Sequence, residues 1–223
     1  METTTHMEMI ITGVILAIGI VAAVWGAWSA KRAKNEMATC EERIEALKQE
    51  LKDARTYDPV TRTLNYQAFS KGAYILFRLA HRHQWPVSLL VIDVIDLERI
   101  NLKYGYKAGN AVLISMASAI DYAVRSSDVV GRFEGSKFFV VLQECDEEGV
   151  PNILKRIVEK VEEEPPVYHD KEVPFDFRAA ATTNTGKEAY LQEMISDAER
   201  GLQEAKSRGE KFVRIKSESK ESA

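Results

Sequence analysis

The feature that most constrains this chain is a run of 22 residues without a charge, 9–30 (MIITGVILAIGIVAAVWGAWSA). An α-helix rises 1.5 Å per residue, so this run reaches about 33 Å and covers the hydrocarbon core of a bilayer. The basic segment 31–34 (KRAK) follows the run, whereas residues 1–8 contain no Lys or Arg. Because basic residues favour the cytoplasmic side, we predict a transmembrane helix over 9–30 with residues 1–8 outside the cytoplasm.

A cleaved signal peptide is the alternative for the same run, since Ala27-Trp28-Ser29 resembles a cleavage site. In a signal peptide the basic residues precede the apolar stretch, whereas here they follow it. The order favours an uncleaved anchor, which puts the rest of the chain in the cytoplasm.

The segment 31–57 carries an apolar repeat of seven residues. Its two sets of positions are Met37, Ile44 and Leu51, and Cys40, Leu47 and Ala54. All six fall on one helical stripe, which predicts a short coiled coil that pairs two chains or contacts a partner. A single solvated helix resting on the following domain is the alternative.

Composition limits what the remainder can be. The chain has 223 residues, a net charge of −4 and two cysteines. That leaves room for one globular domain, over 58–215, and a disordered tail, 216–223. The acidic balance argues against a nucleic-acid partner, and no cysteine or histidine cluster has the spacing of a zinc site.

Apolar patterning of the region 58–215 predicts strands separated by helices. The strands are Val87 to Ile95, Phe138 to Leu142, Phe175 to Ala181 and Phe212 to Ile215; the helices are Tyr66 to His83, Ala108 to Val124, Val150 to Glu163 and Lys187 to Arg208. A surface loop is predicted over 162–171 from its proline and charge content. This alternation predicts an α/β fold, or α+β sandwich, with a central sheet flanked by helices.

Five stretches carry recognisable motifs: 58–69 (DPVTRTLNYQAF), 92–110 (IDVIDLERINLKYGYKAGN), 125–128 (RSSD), 131–138 (GRFEGSKF) and 198–210 (AERGLQEAKSRGE). In order and spacing they resemble the GGDEF domain of bacterial diguanylate cyclases, which join two GTP into cyclic di-GMP at the interface of two domains. The resemblance implies a nucleotide-cyclase-like sheet, and a bacterial inner membrane as the site of the anchor.

The signature hairpin departs from G-G-D-E-F. It reads Glu134, Gly135, Ser136, Lys137 and Phe138. Phosphoryl transfer needs a divalent metal held by carboxylates, and Lys137 puts a positive charge where the resemblance implies Mg²⁺. We therefore expect no catalytic metal and no cofactor. The plain alternative for Lys137 is a solvated surface charge, and a new Ser136–Lys137 catalytic pair is disfavoured because adjacent strand residues point to opposite faces.

The positions implied to bind GTP are also altered. Glu98 and Glu210 stand where the family has cations on the phosphates, and only Lys206 remains. Asn110 replaces the carboxylate that reads guanine, while Asn101 persists. Two acidic groups beside a polyphosphate oppose binding, so we predict a degenerate, inactive domain. The retained metal carboxylate, Asp93, and Asn101 would then be relics at a strand end and a helix cap.

The resemblance implies a second site that survives. An R-x-x-D lies five residues before the signature in active members and binds the product, and here Arg125 and Asp128 hold that register. A guanidinium fork matches one edge of guanine and a carboxylate accepts from the other. Arg156 lies where the family often supplies a second arginine from a neighbouring domain, with Lys155 as the adjacent alternative. The alternative interpretation is that the R-x-x-D residues persist only as a structural turn, without a ligand.

The sequence thus predicts a membrane-anchored, catalytically inactive cyclic di-GMP receptor, with the ligand bound as a stacked dimer of the dinucleotide. A ligand-free scaffold that docks on an active diguanylate cyclase, or on an exopolysaccharide or secretion complex, is the alternative. A third interpretation keeps GTP as a ligand without turnover, through Lys206 and Asn101.

Overall fold

The computed structural model describes residues 56–133, 135–185 and 190–216, together with 25, 28, 31, 32, 34, 37, 42–45, 47 and 48. The chain divides into two compact units, Met1–Lys52 and Asp53–Ala223. All buried apolar side chains of the described residues belong to the second unit, which therefore has its own core and can fold without the first.

The described residues of the first unit are helical. No helix in the described part of the chain is long and apolar enough to cross a bilayer. The predicted span 9–30 falls outside that part except for Trp25 and Trp28, so the anchor stays a prediction. Of the predicted coiled-coil seam, Met37, Ile44 and Leu47 are exposed, and the other three positions lie outside the described residues.

A five-stranded sheet forms the centre of the second unit. Its strands are β1 (Pro86–Ile95), β2 (Val129–Arg132), β3 (Lys137–Gln143), β6 (Asp176–Thr185) and β7 (Phe212–Lys216), and they lie in the order β2-β3-β1-β6-β7. Strand β1 pairs antiparallel with β3 and β6, whereas β7 pairs parallel with β6. A separate two-stranded ribbon joins β4 (Val167–Tyr168) and β5 (Lys171–Glu172).

Five helices cover the two faces of this sheet: α1 (Tyr66–His83), α2 (Leu97–Tyr104), α3 (Tyr106–Ala123), α4 (Gly149–Glu163) and α5 (Leu191–Arg208). Side chains alternate along β1, so Leu90 and Ile92 pack with α3 and α4 while Leu89 and Val91 pack with α1 and α5. The result is a three-layer arrangement with one core on each side of the sheet.

The turn that opens the domain is tied to strand β2. Asp58 Oδ1 accepts the Thr61 N–H at 2.8 Å and Arg132 Nη1 at 2.8 Å. Burial alone would raise the pKa of Asp58, but the hydrogen bonds from Thr61 and Arg132 outweigh it and hold that pKa below its usual value. The backbone joins as well, because Leu64 N–H donates to Val130 O and Arg132 N–H donates to Leu64 O.

The predicted central sheet with flanking helices is confirmed. Helix α1 matches its predicted bounds, and β1, β3, β6, β7, α3, α4 and α5 lie within a few residues of theirs. Three features were not predicted: β2, α2 and the β4–β5 ribbon, which interrupts the expected loop 162–171. Lys216 extends β7, so it does not belong to the tail, and 217–223 lie outside the described residues.

Candidate functional site

A groove of about 730 Å³ lies beside the end of β1. It is lined by Asp93, Glu98, Ser136, Arg178 and Lys206, together with neighbouring residues 94–97, 99, 102 and 135. This is the place where the resemblance implies metal and triphosphate. Asp93 is the most enclosed of its charged groups, with 4% of its surface exposed.

Both oxygens of the Asp93 carboxylate accept hydrogen bonds from the protein itself. Ser136 Oγ donates to Oδ1 over 2.5 Å, and Lys206 Nζ donates to Oδ2 over 2.5 Å. A buried carboxylate is stable when its charge is paired and its lone pairs are used. Asp93 is therefore not a mere strand-end relic, because it holds the signature hairpin and α5 together.

Lys137 is not a solvated surface charge either. Its Nζ lies 3.0 Å from Glu199 Oε1 on α5, and one third of its side chain is exposed. Ser136 and Lys137 thus engage different acidic residues, Asp93 and Glu199. They are not paired with each other, as a nucleophile and its base would be.

Arg178 is a residue of this groove that the sequence did not single out. It lies directly opposite Asp93 in the β1–β6 register, and its Nη1 is 2.5 Å from Asp176 Oδ2. Burial raises the pKa of Asp176, but the hydrogen bonds from Arg178 and the Phe177 N–H, together with the charges of Arg178 and Lys211, outweigh it, so that pKa is lowered. The available signal was that Arg178 is the one basic residue of strand β6.

The remaining positions differ in how the fold uses them. Glu98, Asn110 and Glu210 are exposed, as the surface interpretation expects for the two acids. Asn101 lies inside α2 and not at a cap, and a Cβ on Gly109 would come within 1.9 Å of its Oδ1. The Asn101 side chain therefore packs against the bare backbone of Gly109. Glu134 lies outside the described residues.

A second cleft, of about 260 Å³, brings together Arg125, Asp128 and Arg156. The turn that follows α3 supplies Arg125 and Asp128, and it is closed by Asp128 N–H donating to Arg125 O at 3.0 Å. Arg156 comes from α4 of the same domain. The R-x-x-D pair and the expected second arginine thus share one cleft within a single chain.

The carboxylate of Asp128 is oriented by two backbone groups. Arg125 N–H donates to Oδ2 at 2.8 Å, and Gln143 N–H donates to Oδ1 at 3.0 Å. Each oxygen retains a lone pair for a further donor. Asp128 is therefore held by the end of β3 through Gln143. No motif in the sequence predicted this contact.

The two guanidinium groups differ in their freedom. Arg156 Nη2 donates to Tyr122 O at 3.0 Å, and its guanidinium lies 5.8 Å from the Tyr122 ring centroid. Arg125 is exposed and forms no ion pair with the other residues that the structure describes. Arg125 can therefore turn toward a ligand. Arg156 is held against Tyr122 and places its positive charge in the lining of the cleft.

Cys145 also lines this cleft and was not predicted there. Burial, followed by the charges of Asp146 and Asp128, raises the pKa of its thiol. The cleft lies far from the groove, since Lys137 begins β3 and Gln143 ends it. Six strand residues separate the two positions by about 20 Å.

The sequence model of the family described as "Diguanylate cyclase, GGDEF domain" matches residues 55–211. The chain belongs to the GGDEF family. The resemblance inferred from five motifs is therefore confirmed for most of the chain.

Curated relatives match part of this chain. Diguanylate cyclase DosC of Escherichia coli is 31% identical over 137 residues, which cover 61% of this chain and 30% of DosC. Diguanylate cyclase A of Treponema denticola is 26% identical over 129 residues, covering 58% of this chain and 35% of the relative. The chain thus spans about a third of the length of these relatives.

Solved structures show the same GGDEF fold. The coiled coil and GGDEF domain of DgcB from Caulobacter crescentus, in complex with c-di-GMP, aligns with a TM-score of 0.70 at 19% identity, covering 82% of this chain and 97% of the solved DgcB chain. Diguanylate cyclase SiaD of Pseudomonas aeruginosa, in complex with its activator SiaC, aligns with a TM-score of 0.67 at 18% identity over 97% of this chain and 86% of SiaD. Identities this low bear on the fold alone.

Proposed function

We propose that this chain is a catalytically inactive GGDEF protein that binds cyclic di-GMP through Arg125, Asp128 and Arg156. The observation that carries the proposal is the single cleft that gathers these three side chains. DgcB, a structural relative, is described in complex with the same dinucleotide. The groove at the far end of β3 is, in this proposal, a structural remnant.

The charges of the groove support the absence of turnover. Its three lining cations Arg99, Arg178 and Lys206 are each paired with a carboxylate of the chain. A magnesium triphosphate would have to break these pairs and to lie near exposed Glu98, which lines the groove. Breaking these pairs lowers the binding energy that is available to orient the nucleotide for phosphoryl transfer.

The cleft geometry supports guanine recognition. Exposed Arg125 can place its fork on the O6 and N7 edge, and oriented Asp128 can accept from the opposite edge. A cleft of about 260 Å³ is small for a complete nucleotide ligand, so it would receive one guanine end. The rest of a stacked dinucleotide dimer would lie outside the cleft.

We also propose that the chain is anchored in the inner membrane through 9–30, with the GGDEF domain in the cytoplasm and a homodimer or partner contact through 31–57. The support is the uncharged run and the basic segment after it. A C-terminal alkaline phosphatase fusion should be inactive and a C-terminal green fluorescent protein fusion should fluoresce. The reverse pattern would place the domain outside the cytoplasm.

One observation favours the alternative, a scaffold without a ligand. Both oxygens of Asp128 are already engaged by backbone N–H groups, as expected if R-x-x-D persists only as a turn. Such a scaffold would act by docking on an active cyclase or on a secretion or exopolysaccharide complex.

Calorimetry separates the two functions. Residues 56–216 should bind cyclic di-GMP with micromolar or tighter affinity and should give no heat with GTP and Mg²⁺. The matched control is Arg125→Lys, which keeps the charge but loses the two-point guanine contact and should bind more weakly. Absence of binding by the wild type would reject the receptor function in favour of the scaffold.

A further inference from the structure

The outer surface of α1 carries a stripe of basic and apolar side chains. Lys71, Ile75, Arg78 and Arg82 recur at spacings of four, three and four residues, which puts them on one stripe. The stripe lies opposite the buried side of the helix. We call it the α1 outer face and include the flanking Tyr74 and Leu79.

The α1 outer face is positive in an acidic protein. Helix α1 contains no Asp or Glu, although the chain as a whole has a net charge of −4. Lys71, Arg78 and Arg82 are exposed, and none forms an ion pair with the residues that the structure describes. Their charges are thus available to an anionic surface.

The α1 outer face also exposes apolar side chains to solvent. Tyr74 is 59% exposed, Ile75 is 58% exposed and Leu79 is 37% exposed. Ile75 lies among the three cations, and the Arg78 guanidinium lies 5.8 Å from the Tyr74 ring centroid. Cations that alternate with an aliphatic and an aromatic side chain are typical of helices that lie in a membrane interface.

We propose that the α1 outer face binds the surface of an anionic bilayer. The cations meet lipid headgroups, the apolar tips of Tyr74 and Ile75 enter the interface, and α1 lies parallel to the membrane. Charge complementarity supports lipid, and so do the exposed apolar side chains that lie between and beside the cations. The face is separate from both the R-x-x-D cleft and the groove, so the inference does not depend on either.

Vesicle sedimentation of residues 56–216 tests the proposal, because this unit has its own core and lacks the uncharged run 9–30. It should bind phosphatidylglycerol-containing vesicles and not pure phosphatidylcholine vesicles, and should bind less as salt rises. Replacing Lys71, Arg78 and Arg82 by Gln together should lower the partition coefficient on the order of a hundredfold. Tyr74→Ser with Ile75→Ser should lower it by at least about tenfold.

A triple variant of matched charge controls for net charge: Lys103→Gln, Lys107→Gln and Lys155→Gln, all exposed and outside α1. It should keep most of the binding, and each variant should melt at the wild-type temperature. Equal binding to neutral and anionic vesicles, or an equal loss in the control, would overturn the proposal. Binding to polyglutamate without binding to vesicles would also overturn it. The same holds if the protein binds no vesicles and instead forms a dimer in solution that Ile75→Ser dissociates.

Discussion

Lys206 places its ammonium group on the carboxylate of Asp93, where the family implies a divalent metal. The Nζ–Oδ2 distance is 2.5 Å, and Ser136 fills the other oxygen of the carboxylate. The two partners are buried to different degrees, since 6% of the Asp93 side chain and 32% of the Lys206 side chain are exposed. The pair is therefore energetically asymmetric.

That asymmetry gives a stability prediction. Lys206→Met leaves a buried carboxylate without its charge partner and should lower the free energy of unfolding by about 1–3 kcal/mol. Asp93→Asn leaves a lysine that can turn to water, and should cost about 1 kcal/mol or less. Urea unfolding followed by circular dichroism measures both, with exposed Lys107→Met as the control. Equal costs for the two variants would contradict the asymmetry.

The groove, whose cations are paired with carboxylates of the chain, should show no diguanylate cyclase activity. Purified full-length protein with GTP and either Mg²⁺ or Mn²⁺ should form no cyclic di-GMP, because Ser136 and Lys137 offer no carboxylate to a metal. The measurement is chromatographic detection of the dinucleotide. Product above a no-protein control that Asp93→Ala removes would show that the groove is active.

Ligand binding should depend on one end of β3 and not on the other. Arg125→Ala should weaken cyclic di-GMP binding by about 10- to 100-fold, the value of a bidentate guanine contact. Lys206→Ala, at the far end of the strand, should leave the affinity within about twofold. Titration calorimetry measures both. If Lys206→Ala weakened binding and Arg125→Ala did not, the ligand would bind in the groove and not in the cleft.

The thiol of Cys145 reports on the same cleft. In a Cys40→Ser background, saturating cyclic di-GMP should slow alkylation of Cys145 by iodoacetamide at least about fivefold, because the ligand covers the half-buried sulfur. GTP at the same concentration is the control and should not protect. Since burial raises the pKa of this thiol, its unprotected labelling should keep increasing above the pH at which a free cysteine levels off. Equal rates with and without cyclic di-GMP would exclude occupancy of the cleft.

Asp58 should make the fold sensitive to acid. Its pKa is lower when folded than when unfolded, so its stabilisation is present at neutral pH and is lost as pH falls through the folded value, below about pH 4. Asp58→Asn should be about 1–3 kcal/mol less stable than wild type at pH 7, and the difference should shrink by pH 3. Exposed Asp170→Asn should show no such convergence in urea unfolding. A difference between Asp58→Asn and wild type that does not change with pH would rule out this carboxylate as the cause.

The main elements of the fold followed from the sequence because their patterns are local. The β-branched run of β1 and the amphipathic α1 can be recognised one window at a time. Strand β2 is short and contains Gly131, and α2 buries only Ile100, so neither produces a periodic signal.

The site was predictable where a motif marked it, and at Arg156 from its position in the family pattern. Arg125, Asp128, Asp93 and Lys206 lie in motifs, and the structure places them in the cleft and the groove. The partners of those motifs were not predictable. Glu199 reaches Lys137 across 62 positions of sequence, and pairs of this kind arise from tertiary packing.

The bonds between Leu64 and β2 have a consequence for how the domain avoids self-association. Strand β2 is the outermost strand on its side of the sheet, and Leu64 occupies part of the hydrogen-bonding row that it would otherwise present to solvent. An unprotected edge strand is a template for adding another chain. The opening turn therefore serves as a short β-cap, and a fragment beginning after Leu64 would expose an adhesive edge even though every helix and strand of the domain remained.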